Sequence, residues 1–191
     1  MSHTYAQNVV HVVFSTKDRR KTISAEFRPK VWAYSAGICK KQGIFVHTIG
    51  GMEDHAHFLI QVPPVMSLAK AVATIKSNSS RWANEEGLKL AWQQGYAAFS
   101  VSASIVPAVV RYIQNQEAHH RKISFDEEFL ILLRKHGWNL IPNSSLGMPR
   151  LRRSGFFLPV SPALSGWANL YPAYGVFWNE GPSPQPPPYA V

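Results

Sequence analysis

The sequence predicts an α+β fold of the ferredoxin-like, split βαβ kind: a single antiparallel sheet with helices on one face, then C-terminal helices and a Pro-rich tail. Three observations carry this. Strand-like and helix-like periodicities alternate in the order β-α-β-β-α-β over the first part of the chain. Turn residues such as Gly43, Pro63-Pro64 and Gly95 separate them. Composition then changes near residue 137. Of the 14 prolines only Pro29, Pro63, Pro64 and Pro107 precede it, and of the 11 acidic residues only Glu180 follows it. The chain is therefore divided into a domain at residues 1–137 and a Pro- and aromatic-rich tail at 138–191. The tail ends in GPSPQPPPYAV, which favours polyproline II or disorder over packing, and it is expected to be dispensable for the chemistry.

Each element has a local reason. YAQNVVHVVFS, residues 5–15, is a strand by its β-branched and aromatic density. Ser24 is positioned to cap a helix to about Gln42, with Phe27, Val31, Tyr34 and Ile38 on one stripe and Gly43 as its stop. IFVHTIG (44–50) and DHAHFLIQV (54–62) read as two strands paired in a hairpin. Ser67 opens a helix to about Glu86, with Leu68, Val72, Ile75 and Trp82 facing inward. YAAFSVSA (96–103) is the fourth strand. Ser104 caps a further helix that tolerates Pro107 in its first turn and runs to about His120. A last amphipathic helix covers about 125–136, with Phe129, Leu132 and Leu133 inward.

Charge narrows the partners. The balance of 20 Lys+Arg against 11 Asp+Glu gives a net +9, which points to polyanions, nucleic acid before membrane surface. The single cysteine, Cys39, excludes an internal disulfide framework and a cysteine zinc cluster, and fits a reducing cytoplasm. MSHTYAQNVVHVV lacks a basic n-region followed by an apolar core and a small-residue cleavage site, so no secretory signal is expected. The uncharged run at 90–110 has the length of a membrane span, but Gln93, Gln94, Gly95, three serines and Pro107 break it, so no membrane association is expected. Lys17, Arg19, Arg20 and Lys21 form a basic loop after the first strand. Lys70, Lys76 and Arg81 line the second helix. These are the candidate phosphate contacts.

The chemistry centres on EDHAHFLIQVPP, residues 53–64. In a strand, residues two apart share a face, so His55 and His57 project side by side, as two corners of a metal site or a phosphate clamp would. Tyr112 and Gln116 are four apart and so share one helical face. A glutamine on a core stripe must find partners for its amide, and its carbonyl oxygen is a usable neutral ligand for a hard cation. Glu53 and Asp54, beside the histidines, are either solvated or orient the imidazoles as outer hydrogen-bond acceptors. His119 and His120 suit a helix C-terminus, and His119 alternatively shares part of the Tyr112 face.

DHAHFLI, with RYIQNQEAHH about fifty residues on, resembles the HUH single-tyrosine transposases. These are the transposase-A type of small insertion sequences and their relatives associated with repetitive extragenic palindromes. HVVFSTKDRRK, SNSSRWANEEG, WQQGYAAFSVSAS and FDEEFLILLRKHG extend the resemblance over about residues 5–137. The resemblance implies His55, His57 and Gln116 as ligands of Mg²⁺ or Mn²⁺ and Tyr112 as the nucleophile. It also implies single-stranded DNA with hairpins as substrate, a 5′-phosphotyrosine intermediate and a homodimer. The alternatives are a domesticated palindrome-binding protein of the same type and an RRM-like binder that would stack bases on Phe14 and Phe99.

Overall fold

The structure, a computed structural model, describes residues 5–138. The tail beyond, and the expectations placed on it, lie outside the described residues. The elements run β1 (Val9–Ser15), α1 (Arg28–Lys41), β2 (Phe45–Gly51), β3 (His55–Gln61), α2 (Leu68–Glu85), β4 (Ala97–Ser100), α3 (Val106–Gln114), α4 (Gln116–His120) and α5 (Phe125–Lys135). Short 3₁₀ turns at Lys17–Arg19 and Ala103–Ile105 follow β1 and precede α3.

The strands form one sheet in the order β2-β3-β1-β4, each pair antiparallel. This is the split βαβ arrangement, because β3 inserts between β1 and β2. Side-chain parity separates two cores. Val12 and Phe14 of β1 and Ala56, Phe58 and Ile60 of β3 face α1 and α2, packing with Cys39, Ala71, Val72 and Ile75. Val13 and Phe99 face the other way and pack against Phe125, Leu132 and Leu133 of α5. The two crossover helices thus lie on one face as expected, while the C-terminal helices cover the opposite one. His11, Ser15, His55 and His57 share that second face, since His57 pairs with Val13 and His55 with Ser15 in the register.

Several boundaries differ from the sequence expectation, each for a local reason. The first strand starts at Val9 rather than residue 5, and the fourth ends at Ser100 rather than 103. Ser24 does not cap α1. Its carbonyl accepts from the Phe27 and Arg28 amides, making a turn, and the helix begins at Arg28 with Pro29 in its first turn. The buried stripe is consequently Val31, Ser35, Ile38 and Cys39, with Phe27 and Tyr34 only half-buried. Ser67 does cap α2, its hydroxyl accepting from the Lys70 amide. Ser104 caps nothing; its hydroxyl meets that of Ser102. The helix expected through His120 is broken at Asn115 into α3 and α4, so Tyr112 and Gln116 stand on either side of the break. A capping box, Ser124 with Glu127, starts α5 sharply.

Glycine fixes how closely α3 can approach the sheet. A Cβ on Gly50 of β2 would lie 2.4 Å from the Ile113 carbonyl oxygen and 2.8 Å from Ile113 Cγ2. Only hydrogen fits there, and this lets the tyrosine-bearing helix lie directly on the hairpin.

Candidate active site

The two histidines are fully buried, His55 at 1% and His57 at 0% exposed. Ala56 between them points to the opposite face, into the buried cluster with Phe14 and Phe58. Each imidazole is held at its outer nitrogen. His55 Nδ1 donates to Asp54 Oδ1 at 2.7 Å, and its ring stacks on Phe125 with centroids 4.2 Å apart. His57 Nδ1 lies 2.9 Å from His11 Nε2, the two rings stacked at 5.2 Å. Asp54 therefore orients an imidazole, one of the two roles open to it from sequence.

Gln116 faces the same point. Its Oε1 is 3.3 Å from His55 Nε2 and its Nε2 donates to Glu128 Oε1 at 2.9 Å, which fixes the amide orientation. With the His55 proton on Nδ1, two lone-pair-bearing atoms, His55 Nε2 and Gln116 Oε1, face each other. Tyr112, from α3, donates its hydroxyl to the same Glu128 oxygen in a short contact. The break at Asn115 does not separate the pair, since both side chains converge on one carboxylate.

Glu128 of α5 is the residue that sequence reasoning missed. It is 1% exposed, and its second oxygen lies 3.4 Å from His57 Nε2 and 3.2 Å from His120 Nε2. The signal was present: Phe125, Glu128 and Leu132 fall on one core-facing helical stripe, and a carboxylate there needs cationic or hydrogen-bonding company. His11 was missed too, a polar residue inside the valine-rich run of β1.

His119 and His120 do not merely end a helix. His119 Nε2 is 3.4 Å from Glu128 Oε1. His120 Nδ1 donates to the Ile123 carbonyl at 3.1 Å and Nε2 to Gln116 Oε1 at 2.9 Å, so both ring nitrogens are donors. Its pKa accordingly rises: burial alone would lower it, but the hydrogen bond and charge of Glu128 outweigh that. His57, His11 and His119 go the other way, burial holding each below the ordinary histidine value. Burial would raise the Glu128 carboxyl, yet His57 and His120 pull it below the ordinary range. Asp54 is brought to about 2, its burial offset by His55 and Arg19.

Ligand-capable atoms of His55, His57 and Glu128 all lie within 4.8 Å of one another. His57 Nε2 is buried, makes no hydrogen bond among the described residues and faces Glu128 Oε2 at 3.4 Å. A buried imidazole nitrogen and a carboxylate oxygen facing each other, beside an amide oxygen and a second imidazole, are a donor set that suits a divalent cation. The expected ligands were all neutral; the site adds one anionic group.

The basic residues divide. Arg19 donates to Asp54 at 3.0 Å, pairs with Asp126 and lies over the Phe125 ring at 4.6 Å. Lys76 donates to the Gln93 and Gly95 carbonyls at 2.5 and 2.8 Å. Both are engaged within the chain. Lys17, Arg20, Lys21, Lys70 and Arg81 are exposed.

A family model described as "Transposase IS200 like" matches residues 4–116. The transposase for insertion sequence element IS200 of Salmonella typhimurium is 27% identical over 124 residues, covering 61% of this chain and 81% of that protein. Its counterpart in Salmonella typhi matches to the same extent. Among solved structures, one of a REP-associated tyrosine transposase bound to a REP hairpin aligns with a TM-score of 0.50 at 13% identity. It covers 79% of this chain and 97% of that one, a likeness of fold.

Proposed function

Because the chain belongs to the family of IS200-like transposases, we propose that it cleaves and rejoins single-stranded DNA at hairpin ends through a covalent link to Tyr112. One observation supports this above the others: Tyr112, Gln116, His55 and His57, from three elements, converge on a single buried point around Glu128.

A phenol has an ordinary pKa of about 10, so the hydroxyl attacks only where its proton and the developing negative charge are accommodated. His55, His57 and Gln116 would hold Mg²⁺ or Mn²⁺, with Glu128 in reach of the same point, and the imidazoles favour Mn²⁺. The bound cation supplies Lewis acidity to a non-bridging oxygen of the scissile phosphate. Tyr112 oxygen forms the new bond to phosphorus and the bond to O3′ breaks, leaving a 3′-hydroxyl and a 5′-phosphotyrosine. Since the phosphodiester bond is conserved in the link, another 3′-hydroxyl can reverse the step and join a different strand. Lys17, Arg20, Lys21, Lys70 and Arg81 are the phosphate contacts in this reading; Arg19 and Lys76 are the less available members of the basic set.

Hairpin DNA as the substrate class rests on the resemblance and on the hairpin-bound relative of the same fold. A homodimer belongs to the proposal on the resemblance alone, although Tyr112 and Gln116 here meet the histidines of their own chain. The resemblance and the single cysteine favour a cytoplasmic reaction. Among the described residues no helix is long and apolar enough to cross a membrane. An RRM-like reading loses its support, because Phe14 and Phe99 are 2% and 3% exposed and offer no stacking surface. The second reading is a palindrome-binding protein that keeps the site without the reaction.

Covalent trapping separates the two. The protein is incubated with labelled single-stranded hairpin oligonucleotides from the flanks of its gene and Mn²⁺ or Mg²⁺, then run on a denaturing gel. A metal-dependent adduct is expected, absent in Tyr112→Phe and His57→Ala. Binding without an adduct across those flanks would favour the palindrome-binding reading.

A further inference from the structure

We infer that His11 is the positioning residue for His57, holding it as the tautomer whose Nε2 lone pair faces the cation site. The inference rests on the metal-dependent reading above.

The geometry is that of two parallel arrangements. His55 and His57 both turn Nε2 toward Glu128 and both have Nδ1 in a hydrogen bond, His55 to Asp54 at 2.7 Å and His57 to His11 at 2.9 Å. A neutral imidazole carries one proton, and a ring nitrogen that carries it has no lone pair to give a cation. An acceptor at Nδ1 draws the proton there and frees Nε2. For His55 that acceptor is a carboxylate. For His57 it is the Nε2 lone pair of a second imidazole, so His11 must itself carry its proton on Nδ1.

The surroundings restrict the alternatives. His11 is 3% exposed and stands on β1 opposite Leu59 of β3 and Phe99 of β4. Its ring stacks on His57 at an interplanar angle of 25° and meets the Phe99 and Tyr112 rings at centroid distances of 6.1 Å. A histidine in this apolar strand is costly to bury where Val or Leu would pack, and its ring contributes an acceptor at one place, His57 Nδ1. At the other end of the ring His57 Nε2 is buried and faces Glu128 Oε2 at 3.4 Å, longer than the 2.9 Å contact with His11, so the shorter hydrogen bond at Nδ1 is the one that holds the proton. His11 also lies against Tyr112, so the same side chain backs both the ligand and the nucleophile.

The test uses the full chain with two substitutions, His11→Leu, which removes the acceptor, and His11→Gln, which keeps an acceptor oxygen of similar reach. Ring ¹⁵N chemical shifts report the His57 tautomer in metal-free protein, calorimetric titration reports Mn²⁺ affinity, and thermal melting confirms folding. The wild type is expected to show His57 protonated at Nδ1. In His11→Leu that single tautomer is lost and Mn²⁺ binding weakens about 10- to 100-fold, with much of the affinity restored in His11→Gln. A wild-type His57 protonated at Nε2 overturns the inference without any variant. So does a folded His11→Leu protein that keeps the Nδ1 tautomer or binds Mn²⁺ like the wild type. If the wild type binds no Mn²⁺, the metal reading fails by itself, and the tautomer measurement still decides the role of His11.

Discussion

Glu128 shows how a single carboxylate can set the charge state of its neighbours. It is nearly sealed from water, yet lies among His55, His57, His119 and His120 and accepts from Tyr112 and Gln116. His120 has its pKa raised, because it donates through both nitrogens and faces the Glu128 charge, while burial pulls the other way. Glu128→Gln removes the charge and leaves the burial. The His120 pKa is then expected to drop below the ordinary histidine value, read by NMR titration of its ring protons. A His120 that titrates as in the wild type would show that Glu128 is not its partner in solution. The Tyr112 hydroxyl has a different dependence, since an amide oxygen at position 128 can still accept from it.

At the scale of elements, the site is assembled by two docking events. The first sets α3 on the hairpin, through the contact of Gly50 with Ile113. Gly50→Ala must push α3 outward by the better part of an ångström or bend β2. The expected loss is about 1–3 kcal/mol of stability, the usual cost of overpacking, together with a drop in adduct formation as Tyr112 moves from the histidines. Chemical denaturation alongside the trapping gel measures both; unchanged stability would mean α3 is not seated there. The second event seats α5. Arg19 reaches from the turn after β1 to Asp54 and Asp126 and covers the Phe125 ring, while Phe125 stacks on His55. Arg19→Ala is expected to cost about 1–2 kcal/mol, from a half-exposed ion pair and a cation–π contact, and to weaken Mn²⁺ binding by loosening Glu128. If Arg19→Ala instead left stability and Mn²⁺ affinity intact and only weakened DNA binding, Arg19 would be a phosphate contact after all.

For the whole molecule the cluster makes stability depend on pH. His11, His57 and His119 have lowered folded values, so an unfolded chain takes up their protons first, near pH 6.5. Wherever the unfolded state binds more protons, stability rises with pH. Their contribution is therefore present above about pH 6.5 and is lost as pH falls through the lower folded values. His120, raised, works oppositely: its contribution is full below about 6.5 and is lost as pH rises through its folded value. His11, held well below the ordinary value, and His57, both sealed from water, set the sign near neutrality against the raised His120. Asp54, held at about 2, adds a contribution that is present above its unfolded value of about 3.9 and is lost as pH falls through 2. The metal-free thermal midpoint should fall from pH 7 to pH 5 and fall again below pH 4. A midpoint that rises between pH 7 and 5 would contradict the neutral burial of these rings.

What the sequence determined by itself was direction. The alternation of β3 puts His55 and His57 on one face whatever covers it, and the order β-α-β-β-α-β leads to the split βαβ sheet. Helical spacing brought Tyr112 and Gln116 together closely enough that the break at Asn115 did not part them. These are consequences of the backbone period, and a period is written locally. Company was decided only by the tertiary structure. His11 and His57 are 46 residues apart, and their hydrogen bond follows from β1 pairing with β3 in one register; Glu128 enters because α5 folds back over the second face of the sheet. The periodicity of β1 or α5 names the side a residue faces, but not what will face it. Packing, the Arg19 clasp and the absence of a side chain at Gly50 select that partner, and they exist only once distant parts of the chain have met.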